Sequence, residues 1–149
     1  MGLRIQYVNQ NVFDAEEKFI LHGVNAQGIV GRGLSSEMAK RYPESMLEFT
    51  EFKPILGNIQ VIHCGDKSII NAVICNTYGR EKKRYVNYEA LASTMEILED
   101  RLYGQKIAMP LIGLGYQFGN WNIIASIIEN TLQTVMPVVY VKSGEYHTG

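Results

Sequence analysis

One glycine-rich stretch gathers a histidine, two side-chain amides and two arginines, residue types that together could bind an anion and move a proton. It runs His22 to Pro43, HGVNAQGIVGRGLSSEMAKRYP. Gly28, Gly31 and Gly33 permit positive φ and close backbone approach, which a phosphate cradle requires. The apolar run Phe19-Ile20-Leu21 before the loop reads as a buried strand, and Leu34, Met38 and Tyr42 after it fall at helical spacing. A strand, a glycine turn and a helix N-terminus can turn backbone N–H groups toward a negative charge. Such a turn can equally bind nothing. The spacing is not that of a Walker A loop, because no Gly-Lys-Ser/Thr follows, and it is not the dinucleotide GxGxxG. His22 stands beside the loop, and an imidazole with its ordinary pKa could protonate a leaving oxygen or activate a water. The alternative for His22 is a hydrogen-bonded core residue at a strand end. Arg32 interrupts a Gly-x-Gly step, where a guanidinium could fork onto phosphate oxygens or lie in solvent.

The rest of the composition limits what this loop can serve. A chain of 149 residues, 46% hydrophobic and 19% charged, is long enough for one domain with a sizeable core. The net charge of −1 supplies no global field for nucleic acid or an anionic membrane. No apolar run approaches the roughly 18 residues of a membrane span, and MGLRIQYV lacks a signal-peptide core. Cys64 and Cys75 make no disulfide framework, so a reducing, cytoplasmic setting is expected. His22, His63 and His147 have no metal-ligand spacing, and no metal or cofactor is expected.

The elements that must position the loop alternate between strand and helix. Strands are expected over residues 3–8, 19–24, 58–64, 69–76, 106–110 and 138–141. The turn between the third and fourth is read as Gly65-Asp66-Lys67-Ser68. Helices are expected over 34–42, stopped by Pro43, and over 44–52. Asn87 should cap a long helix carrying Leu91, Met95, Leu98 and Leu102 on one face. Asn120 should cap another, with Trp121, Ile124, Ile128 and Leu132 inward. A second glycine-rich loop, IGLGYQFG, follows the fifth strand. The two glycine loops could meet beyond the strand ends, where open α/β sheets hold ligands, and facing cradles would suit a pyrophosphate. The pattern predicts a single three-layer α/β/α domain with a mixed central sheet, and a mobile tail over 143–149.

Taken in order, YVNQNVF, HGVNAQGIVGRGLSSEMAKRYP, AMPLIGLGYQFGNW and VVYV resemble the successive strands and loops of a macro domain, the fold that binds ADP-ribose. Within that family, His22, Asn25-x-Gln27-Gly28, Gly31-x-Gly33 and Arg41-Tyr42-Pro43 look most like the ADP-ribose-1″-phosphate phosphatases. Asn11, where many members carry an adenine-binding Asp, also fits that branch. The branch that removes ADP-ribose from macromolecules uses a lysine just after the central strand, where this chain has Tyr78, and often an aspartate where it has Gln117. Lys82 and Lys83 would substitute only if their loop folded inward.

The resemblance implies a monomer that binds ADP-ribose and hydrolyses its 1″-phosphate without a metal. Its alternatives are a non-catalytic binder and a de-ADP-ribosylase. It implies His22 and Asn25 as catalytic residues, with Asn25 bonding the distal ribose. It assigns Asn11 and Val12 to adenine, and Gln27, Gly31, Gly33 and Leu34 to the distal ribose and its phosphate, where Arg32, beyond the resemblance, would reach phosphate oxygens. Ile112, Gly113, Leu114, Gly115, Tyr116, Gln117 and Phe118 would hold the pyrophosphate, with Tyr116 or Phe118 over the ribose. The charged run Arg80-Glu81-Lys82-Lys83-Arg84 reads as a solvated loop.

Overall fold

A computed structural model describes residues 5–142. Its strands are β1 (Gln6–Val8), β2 (Phe19–Asn25), β3 (Ile59–Cys64), β4 (Lys67–Cys75), β5 (Lys106–Met109) and β6 (Met136–Tyr140). Its helices are α1 (Leu34–Arg41), α2 (Pro43–Glu51), α3 (Tyr88–Arg101) and α4 (Trp121–Thr131), with 3-10 turns at Val12–Asp14 and Gly115–Gln117. The tail expected to be mobile, and residues 3 and 4 of the first expected strand, lie outside the described residues.

The sheet has the order β1-β6-β5-β2-β4-β3, parallel throughout except for the β3–β4 hairpin at one edge. β4 is fully buried from Ser68 to Cys75 and carries a run of β-branched residues, as a central strand covered on both faces should. The hairpin is tighter than its composition suggests. Cys64 pairs with Lys67, so the turn is Gly65-Asp66 alone, with Gly65 at φ 67°.

Helices α3 and α4 cover one face. Leu91, Met95 and Leu98 from α3, with Trp121, Ile124 and Ile128 from α4, pack on Leu21, Ile70, Ile74 and Ile107. Helices α1 and α2 cover the other, where Met38, Met46 and Phe49 meet Ile20, Val24, Ile69 and Val73. This is the expected three-layer arrangement. The caps behave as read: the Asn87 side chain accepts from the Ala90 N–H, and that of Asn120 from Asn122 and Ile123. Pro43 both ends α1 and opens α2 at its first position, where the missing N–H costs nothing.

Candidate functional site

All parallel strands end on the same edge of the sheet, and beyond the C-terminal ends of β2, β4 and β5 lies a cavity of about 420 Å³. Three segments wall it. The first leaves β2 at Asn25, whose Oδ1 accepts the N–H groups of Gln27 and Ile29 (3.1 Å each) while Nδ2 donates to the Ile29 carbonyl (2.8 Å). That amide ties the turn and delivers Gly31, Arg32, Gly33, Leu34 and Ser35 to the cavity. Gly33 caps α1 at φ 65°, and a Cβ there would sit 3.5 Å from the Tyr116 ring. The first turn of α1 beyond it presents N–H groups without intrahelical partners.

The second wall continues β4 through Cys75, Thr77, Tyr78 and Gly79, with Tyr85 beside them. The third follows β5 through Pro110, Leu111, Ile112, Gly113, Leu114, Gly115, Tyr116 and Gln117. Its shape depends on Gly113, at φ 80°, whose carbonyl accepts from Gly119 at 2.7 Å. A Cβ on Gly113 would lie 2.6 Å from Ile124 Cδ1, so the loop rests directly on α4.

Arg32 joins the three walls. Its guanidinium carbon lies 4.0 Å from the Tyr116 ring centroid and 5.9 Å from that of Tyr78, and Nη2 donates to the Gly79 carbonyl at 3.3 Å. Its Nε is buried and has no hydrogen-bond partner. Among the described residues lining the cavity Arg32 is the one charged side chain. No histidine, carboxylate or lysine lines it, and burial pushes the Cys75 thiol up to about 12, so this thiol stays protonated at neutral pH.

The structure moves the proposed acid, His22, out of the site. It is 1% exposed, does not line the cavity, and bonds Asn71 Oδ1 through Nε2 at 2.6 Å. Asn71 Nδ2 donates to the Ser45 carbonyl and to Gln60 Oε1, so its oxygen must face the histidine and Nε2 must carry the proton. Nδ1 is left buried without a partner. Burial lowers the pKa to about 4 against the opposing effect of the Asn71 bond, so the ring is neutral. The reason is local: β2 is buried on both faces, and His22 points into the layer between the sheet and α2.

Other expected residues divide similarly. Gln27 is exposed and outside the cavity; its Oε1 accepts the Tyr78 N–H at 2.7 Å, a clamp between the first two walls. Asn11 caps the 3-10 turn by accepting from Phe13, Val12 is buried beneath it, and neither lines the cavity. Phe118 stands outside in a left-handed conformation at φ 55°. Gln117 lines the cavity and donates to the Gly23 carbonyl at 3.2 Å. Lys82 and Lys83 stay exposed, with Lys83 3.8 Å from Glu81, and neither enters. Sequence reasoning missed Gly23, Val24, Ser35, Cys75, Thr77, Tyr78, Gly79, Tyr85, Pro110 and Leu111 as lining residues. The position of Thr77 and Gly79 just past the central strand, on the edge shared by both glycine loops, was the available signal.

No family model matches the chain. It is 29% identical over 144 residues to an uncharacterised 17.5 kDa protein of the tk–vs intergenic region of Enterobacteria phage T4, covering 85% of this chain and 87% of that one. Among solved structures it is similar to the macrodomain of Mycobacterium tuberculosis DarG, 22% identical with a TM-score of 0.74, over 96% of this chain and all of that one. It is also similar to Thermosipho africanus DarTG in complex with ADP-ribose, 14% identical with a TM-score of 0.78, over 97% of this chain and 43% of that one. The chain, a mixed six-stranded sheet between two helical layers, has the fold of these macrodomains.

Proposed function

We propose that the chain binds ADP-ribose, or its 1″-phosphate, in the cavity between its two glycine loops. The observation that carries this reading is the convergence of segments 31–35 and 112–117 on one cavity whose single charged lining residue, among the described residues, is Arg32. Backbone N–H groups of a glycine loop and of the first turn of α1 suit a pyrophosphate, whose charge is spread over several oxygens. The spare N–H on Asn25 Nδ2 would serve a ribose hydroxyl. Support also comes from Thermosipho africanus DarTG, a similar structure solved in complex with ADP-ribose, of which this chain spans 43%. One chain supplies all of these groups, so a monomer suffices. Free, buried Cys64 and Cys75 suit a cytoplasmic setting.

Hydrolysis of the 1″-phosphate loses its expected acid with His22 in the core. The better supported reading is therefore a binding module, with any turnover resting on water held by loop N–H groups. A de-ADP-ribosylase would need a lysine that Tyr78 replaces and that Lys82 and Lys83 do not supply.

Calorimetric titration tests the binding. ADP-ribose should bind at least about tenfold more tightly than AMP, a difference of about 1.4 kcal/mol, because the loops address the pyrophosphate and distal ribose. Equal affinities would overturn the pocket assignment. Incubating the protein with ADP-ribose 1″-phosphate and measuring free phosphate should show little release; sustained release would favour the phosphatase.

A further inference from the structure

Arg32, the one cation among the described residues that line the cavity, is held in an unusual way for a loop arginine. A guanidinium carries five N–H donors, and in Arg32 the recorded bond is a 3.3 Å contact to the Gly79 carbonyl. Nε is buried and closed off from the cavity, so the donors left for a ligand are those of the terminal nitrogens. What fixes the group is the face of Tyr116, 4.0 Å from the guanidinium carbon, with Tyr78 at 5.9 Å on the 77–79 side. The glycines flanking Arg32 seat the loop against the same two rings. A Cβ on Gly31 would lie 3.3 Å from Tyr78, and one on Gly33 3.5 Å from Tyr116. Loop and rings thus hold one cation at a cavity that, among the described residues, offers no other charge.

We infer that Arg32 is a specificity-determining residue that pairs with a phosphomonoester on the ligand, and that Tyr116 is the positioning residue that holds it there. The inference rests on the ADP-ribose reading of the cavity. The pyrophosphate is served by backbone N–H groups along the 112–117 loop and α1. A monoester carries about two negative charges on oxygens grouped around one phosphorus, and a planar fork of N–H donors matches that grouping where single N–H groups do not. Arg32 lies where the first loop meets Gly79 and the Tyr116 ring, so the extra phosphate belongs between the 77–79 segment and Tyr116.

The test compares affinities for ADP-ribose 1″-phosphate and ADP-ribose, by titration at one ionic strength, in the wild type and in variants. The reading is the ratio of the two affinities within each protein. Arg32→Ala should lower that ratio about ten- to hundredfold, the range of a charge-assisted bond. Tyr116→Leu should lower it about two- to tenfold, because the aromatic face is lost, and Tyr116→Phe should keep it near the wild-type value. A merely structural tyrosine would shift both affinities together and leave the ratio alone. An unchanged ratio in Arg32→Ala overturns the proposal, as does an equal loss for both ligands, which would place Arg32 on the pyrophosphate. A wild-type protein that binds neither ligand fails at the first titration, and that failure belongs to the reading of the cavity.

Discussion

His22 shows how a residue with the right chemistry can sit one layer away from its use. It neighbours Gly23, Val24 and Asn25, which line the cavity, yet its ring points to Asn71 and the α2 side. A sequence gives no sign of that: β2 is buried on both faces, so alternation does not separate them, and the partner is 49 residues away. Arg32 stood out because it interrupts a Gly-x-Gly step, although a solvated loop charge fits such a position as readily as a phosphate ligand. A pH prediction follows from the neutral imidazole. In the unfolded chain His22 titrates near 6.5, and in the folded chain near 4. Between those values the unfolded chain binds the extra proton, so the stabilisation is fully present above pH 6.5 and is lost as pH falls toward 4. At 1.36 kcal/mol per unit the loss is roughly 3 kcal/mol. Urea unfolding at pH 7.5 and pH 4.5 should show this fall in the wild type. His22→Gln, which keeps an N–H donor without a titrating group, should show a smaller one. Parallel pH dependences in the two proteins would mean that His22 is not the neutral buried group.

The elements were the most legible level, because each carries its own punctuation. Asn87 and Asn120 name two helix starts, Pro43 divides α1 from α2, and the apolar face of α3 is written at helical spacing. What local signals do not carry is how one element ties another. Glu99, on α3, accepts the backbone N–H groups of Gln133, Thr134 and Val135 and the Thr134 hydroxyl at 2.6 to 3.1 Å. It therefore fixes the turn that starts β6 from a position 34 to 36 residues away. Partial burial would raise its pKa, but these bonds prevail and hold it down to about 2. The folded value lies below the unfolded one, so the contribution is present above pH 4.5 and lost as pH falls toward 2. Glu99→Ala should cost about 1–2 kcal/mol at pH 7 by urea unfolding, since water can replace part of what the carboxylate gave. The cost should shrink by pH 3. A cost that is the same at both values would mean the side chain acts through packing.

At the scale of the molecule the site is a product of strand order. After β2 the chain turns outward through α1 and α2 to the β3–β4 edge, then crosses by α3 to β5 on the opposite side of β2. The crevice opens where those paths diverge, beyond the carboxyl ends of β2, β4 and β5. The sequence named two of its walls through their glycines; the third, Thr77 to Gly79, has no such marker and is a wall only because β4 lies beside β2. The three walls are joined by the side chains of Arg32 to Gly79, Gln27 to Tyr78 and Gln117 to Gly23, and by the backbone bonds of Ala26 to Cys75 and Tyr85 to Gln117. A ligand lying among them would link them further, and any ligand that binds only the folded chain stabilises it by mass action. At about a hundred times its dissociation constant the gain is about 2.7 kcal/mol. ADP-ribose at that excess should therefore raise the melting temperature, with AMP at equal concentration doing so far less. Hydrogen exchange localises the effect. Protection should rise at 31–35, 77–79 and 111–117, with little change along α3 or β3, which do not touch the cavity. Protection confined to the charged segment 80–84 or to α2 would put the ligand on another surface and remove the cavity from the account.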